Sequence, residues 1–183
     1  MKKSLAVVIV LAAFAGGASA QMHAPYAGMQ SRPVKALSDQ QIADLKAGRG
    51  MGLALAAELN GYPGPMHLLE LADQLALTAD QRAAVKAMFE AMKAEAIALG
   101  EKLIEQESTL DRLFASRTVT PETLQTATAA IGETQARLRD THLKYHLSTA
   151  SVLQPQQLHR YAELRGYAGA GSAPGHTHKP GSN

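Results

Sequence analysis

From Thr78 to Ser116 the chain has no Pro and a single Gly, Gly100, so it can run as one helix of roughly 57 Å at about 1.5 Å per residue. Along it the apolar positions Val85, Phe89, Met92, Ala96, Leu99, Leu103, Leu110 and Leu113 step by alternating fours and threes, with Gln106 in the remaining slot. That is the heptad seam of a coiled coil, narrower than the face of an ordinary surface helix. A second ladder with the same spacing follows: Leu124, Ala127, Ile131, Thr134, Leu138, Thr141, Tyr145, Ser148 and Val152. Between the ladders Thr120 can cap the second helix and Pro121 suits its first position. Folding the ladders back around Thr118 and Val119 would pair Phe89 with Ser148, Met92 with Tyr145, Leu99 with Leu138, Leu103 with Thr134 and Leu110 with Ala127, several of these setting large against small. The expected fold is all-α, a long antiparallel helical hairpin with additional shorter helices.

The shorter helices are bounded by local signals. Ser38 with Gln41 makes a capping box, which predicts a helix from Leu37 to about Leu59 that ends at the turn formers Asn60 to Pro65. Gly48, Gly50 and Gly52 fall inside it, and each costs up to about 1 kcal/mol in a helix, so close packing or a bend is expected there. The GRGMG run has no following Lys-Ser/Thr, which argues against a phosphate-cradling loop. Met66 to Ala76 reads as a short amphipathic helix, and Pro155 opens a last one carrying Leu158, Tyr161 and Leu164.

The two ends read differently. Lys2 and Lys3, an apolar run from Leu5 to Ala15 and Ala18-Ser19-Ala20 have the layout of a secretory signal peptide over residues 1–20, cleaved after Ala20. Residues 21–36, with two Pro and no apolar periodicity, are expected as a flexible leader, residues 37–165 as the helical domain, and the Gly/Ser/Pro-rich residues 166–183 as a disordered tail. Export to the periplasm is the expectation, with no membrane anchor, because no apolar stretch reaches about 20 residues. Of the 18 basic residues, Lys2 and Lys3 leave with the leader, so 16 face 16 acidic ones. A neutral mature chain with no Trp lacks the charge and the stacking platforms of nucleic-acid binders. With no Cys there is no thiolate nucleophile, and no G-x-S-x-G or H-E-x-x-H occurs, so no enzyme is expected.

LTADQ (Leu77, Thr78 and Gln81 being the fixed positions) opens the long helix, and LQPQQ follows 76 residues later with Leu153 and Gln157. Flanking a heptad hairpin in an exported Cys-free chain, this pair resembles the paired LTxxQ motifs of the Spy/CpxP family of periplasmic proteins. The overall layout is also similar to that of the family's zinc-resistance-associated relatives, and the segment with AGRGMGLALAAELNGYPGP is similar to a subgroup of heavy-metal sensors or refolding chaperones. Gln154 departs from the pattern, standing where the motif has Thr, and Gln is a poor N-cap. The resemblance implies an ATP-independent chaperone for unfolded or misfolded periplasmic proteins in envelope or metal stress, usually a cradle-shaped homodimer that needs no cofactor.

Two sets of residues could carry function. Ala129, Ala136, Leu143 and Leu147 lie about half a turn from the seam of the second long helix and give it another apolar face. Three partners compete for that face: the helices of 37–59 and 66–76, a second subunit, or an unfolded client. The second set is histidine. Cleavage after Ala20 would put His23 third from a free amine, a square-planar arrangement for Cu(II) or Ni(II). His142 and His146, four apart on one helix, could chelate Zn if Asp140, His159 or another subunit added ligands, with ordinary helix-surface histidines as the simpler reading. His176 and His178 in the tail could bind metal by closing onto other ligands, whereas His67, Met88 and Met92 read as helix and core residues.

Overall fold

The computed structural model describes residues 25–167, and these are all-helical, without a strand. Six α-helices follow a short 3₁₀ turn at Met29–Ser31: α1 (Asp39–Lys46), α2 (Leu55–Glu58), α3 (Pro65–Glu70), α4 (Ala79–Ala115), α5 (Pro121–Ser151) and α6 (Pro155–Leu164). The signal peptide, His23 and the tail with His176 and His178 lie outside the described residues.

The long helices, α4 of 37 residues and α5 of 31, start where their caps require. Thr78 accepts from the Gln81 N–H while Gln81 accepts from the Thr78 N–H, and Thr120 with Thr123 repeats the exchange ahead of Pro121. Residues 116–120 link the two, with Arg117 in the left-handed region at φ 56°. The two helices then lie against each other: Thr149 reaches Met88, while Thr141, Lys144 and Tyr145 all bond Glu95. Leu99 packs against the same cluster that holds Ala96, Leu103, Ile131 and Leu138.

Three expectations are corrected. The helix expected over 37–59 is two helices, because residues 47–54 form a loop with Gly48, Met51 and Gly52 at φ 66°, 44° and 80°. The loop needs glycine for space as well as for backbone sign: a Cβ on Gly48 would stand 3.0 Å from the Lys93 carbonyl and 3.1 Å from Ile97. The helix expected over 66–76 stops at Glu70, since residues 71–76 are turns that end on Ala76 at φ 48°, one step before the Leu77-Thr78 cap. The leader does not run to residue 36, for Val34 is buried in the core and Lys35 pairs with Asp111 at 3.1 Å.

Packing divides into two clusters. One joins Val34, Leu37 and Leu45 to α4 and α5, and here α1 comes so close that a Cβ on Gly100 would sit 2.5 Å from the Leu45 carbonyl. The other gathers Leu68, Ala72, Leu75 and Leu77 with Val85, Leu153 and Tyr161, binding α3 and the starts of α4 and α6. A cleft opens at the loop of residues 47–54.

Candidate functional site

The cleft, of about 600 Å³, is walled by the loop of residues 47–54, α2, the start of α3, and one turn each of α4 and α5. His142 and His146 enter it from α5; both are buried, so the surface reading of this pair is corrected. The reason lies in the opposite wall, where glycines replace side chains: Gly50 faces the His142 ring at 3.5 Å and Gly64 faces the His146 ring at 2.8 Å, measured to the place a Cβ would take. His146 Nδ1 lies 2.6 Å from the Tyr62 carbonyl oxygen, which only accepts, so Nδ1 carries a proton, and in the neutral ring Nε2 then keeps the lone pair. His142 Nε2 is buried without a partner, and burial, then the neighbouring His146, holds the His142 pKa below its ordinary value.

At the back of the cleft Glu58 is a hub that sequence reasoning missed. Its carboxylate accepts hydrogen bonds from the hydroxyls of Tyr161 and Tyr167 and from the Gly64 N–H. Arg165 Nε lies 3.3 Å away and His67 Nδ1 3.4 Å, ion-pair distances outside hydrogen-bond alignment. Burial alone would raise the Glu58 pKa; the His67 and Tyr161 side chains and the Gly64 amide outweigh it and hold the group at about 2. The Tyr161 phenol is pushed up, by burial first and by Glu58 second. His67, expected to have no task, is therefore part of this hub. The only local signal was a carboxylate between Ala57 and Leu59, since every aromatic partner lies more than a hundred positions away.

The two motif glutamines meet. Gln81 Nε2 donates to Gln157 Oε1 at 2.8 Å and Gln157 Nε2 donates back to Gln81 Oε1 at 3.0 Å. Each oxygen also accepts from the first amide of its own helix cap, Thr78 or Gln154, and each amine reaches a carbonyl near the other motif, Val152 or Leu75. Leu77 and Leu153 are buried in the cluster beneath. Gln154 makes no side-chain cap bond, so Gln157 carries that helix start from the far side.

Among the described residues the other candidate face is largely uncovered. Ala129, Ala136 and Leu147 are exposed, Leu147 at 58%, and Leu143 is half-buried. The N-terminal helices were one expected cover, but they pack on α4 and on the histidine-bearing side of α5. Arg137, Arg139, Asp140 and Lys144 flank the stripe, with Lys144 tied to Glu95 at 2.6 Å. Neither additional ligand proposed for His142 and His146 joins them: Asp140 is exposed, and His159 lies on α6, 3.4 Å from Glu163. Among the described residues no group of three or more His, Cys, Asp or Glu side chains is arranged to hold a metal ion. No described helix is long and apolar enough to cross a membrane. Compared with known proteins, the chain matches no family model, no curated protein and no solved structure.

Proposed function

We propose that this chain is an exported, ATP-independent chaperone of the Spy/CpxP kind that holds unfolded or partly folded envelope proteins. In this reading the α4–α5 hairpin is antiparallel and two copies form a cradle-like homodimer in the periplasm. The observation that carries it is the uncovered stripe of Ala129, Ala136, Leu143 and Leu147 on α5. Small and medium apolar side chains flanked by charges of both signs give weak, exchangeable contacts, because little apolar area is buried and water is only partly displaced. Equimolar protein, without nucleotide, is expected to suppress the light scattering of a reduced or heat-unfolded client. Leu143→Gln with Leu147→Gln should lose that activity while keeping the helical circular dichroism. Scattering unchanged by the wild-type protein would end this reading.

A second reading, a periplasmic metal-binding accessory for Zn, Cu or Ni, is favoured by one specific observation. His142 and His146 share a single cleft, and each ring nitrogen Nε2 is free of a protein hydrogen bond.

A further inference from the structure

The cleft gathers soft donors, although two cations, Lys93 and the Asp44-paired Arg49, also line it. Met51, Met66 and Met92 line it, leaving only Met29 and Met88 elsewhere among the described residues. His67, His142 and His146 line it too, leaving only His159. The one carboxylate present, Glu58, is already saturated by Tyr161, Tyr167, Arg165 and His67. What stays free are thioether sulfurs and imidazole nitrogens, soft and uncharged donors.

His146 is set as a ligand would be. Its Nδ1–H is held by the Tyr62 carbonyl, the outer hydrogen bond that fixes a metal-binding imidazole in orientation and tautomer. Its Nε2 carries no protein hydrogen bond, and the absence of a side chain at Gly64, whose Cβ would stand only 2.8 Å away, leaves it uncrowded. His142 Nε2 is a second unpartnered nitrogen on the same wall.

Resting on the metal-binding reading and sharpening it, we infer that this cleft binds a soft monovalent cation, Cu(I), through His146 Nε2 and the thioethers of Met51 and Met66. Neutral donors suit this charge. A divalent ion such as Zn(II) would bring twice the charge into a cleft whose one carboxylate, Glu58, is already engaged by Arg165 and His67, which is costly in a partly dry site. Met51 and Met66 are 43% and 45% exposed, so their sulfurs can move onto an entering ion without disturbing the core.

The test is an anaerobic titration in which the purified full chain competes with bicinchoninate for Cu(I). The wild type is expected to withdraw one equivalent, and the Met51→Leu, Met66→Leu double variant to bind about tenfold more weakly or worse. Both substitutions keep volume at half-exposed positions, so circular dichroism and urea unfolding should be unchanged. Gly64→Ala, which keeps every donor and fills the place before Nε2, should produce the same loss; if it fails to fold, the methionine pair decides alone. Equal Cu(I) withdrawal by the wild type and the methionine variant overturns the site. Tighter binding of Zn(II) than of Cu(I) also overturns it, while leaving a general metal role standing. Absence of binding by either metal removes both.

Discussion

The closed end of the molecule, where α3, α6, the start of α4 and the end of α5 meet, and the turn end around residues 104–130 obey the same heptad pattern but pack differently. At the turn end no residue from 104 to 130 is buried, and Leu124 and Phe114 are exposed. A hollow of about 480 Å³ separates the helices beside Gln106, Ala127 and Ala130, and Gln106 Oε1 there has no partner. Hydroxyls at this end bond back to their own helix: Ser108 to Ile104, Thr109 to Glu105, Thr126 to Glu122 and Thr128 to Leu124. At the closed end polar groups bond across elements instead, through Gln81, Gln157 and Glu58. The difference teaches that a heptad seam decides where helices lie, whereas burial requires a third layer. Two helices alone leave their seam half wet.

The sharpest way to break this contrast is at Glu58. Glu58→Gln removes the charge that Tyr161, Tyr167, Arg165, His67 and His146 converge on, and should cost about 3 kcal/mol in urea unfolding. The same figure follows from linkage. The folded carboxyl stays ionised down to about pH 2, whereas the unfolded one takes its proton near 4.5. The stabilisation is therefore whole at neutral pH, declines below about pH 4.5 and is gone below about 2. A separate acid step belongs to His142: its folded pKa lies below 6.5, so the unfolded state binds the proton first and stability falls as pH drops through that range. Glu58→Gln should erase the lower step and leave the His142 step in place; an unchanged acid profile would remove Glu58 from its central position.

Gly100→Ala comes next. Its Cβ would meet the Leu45 carbonyl at 2.5 Å, so α1 must move away, at about 2 kcal/mol, visible as a lower melting temperature. Gln81→Ala and Gln157→Ala should each cost about 1 to 2 kcal/mol, and the double variant should fall short of their sum by about 1 kcal/mol, because each amide loses its partner once. Additive costs would mean that the glutamines act only on their own caps. Gly132→Ala, in the exposed face of α5 with nothing within 4 Å of the new methyl, should instead stabilise by about 0.5 to 1 kcal/mol. A methyl tolerated at one glycine and rejected at the other would confirm where the third layer ends.

The long helices were legible because their signals are local: heptad steps, capping boxes at Thr78 and Thr120, and Pro121 at the first position. The loop at 47–54 was half legible. Three glycines announced a bend or close packing, but only the placement of Lys93, Ile97 and His142 shows what they approach. Glu58 was illegible, since nothing in its neighbourhood announces Tyr161 or Tyr167. His142 and His146 were found by spacing and misjudged in environment, because their burial depends on the missing side chains of Gly50 and Gly64. The apolar stripe on α5 was found by periodicity, and its bareness became visible only once the N-terminal helices had a place.

The bonds from Glu58 to Tyr161 and Tyr167 span 103 and 109 positions, and the glutamine pair spans 76. Loop closure grows only with the logarithm of length, so fastening Glu58 to Tyr161 and Tyr167 across so many positions costs little more entropy than a tie of half that span. These bonds at Glu58 form an acidic knot that spans more of the sequence than any other side-chain hydrogen bond among the described residues. A chain cut before Tyr161 would keep its long helices and lose its knot.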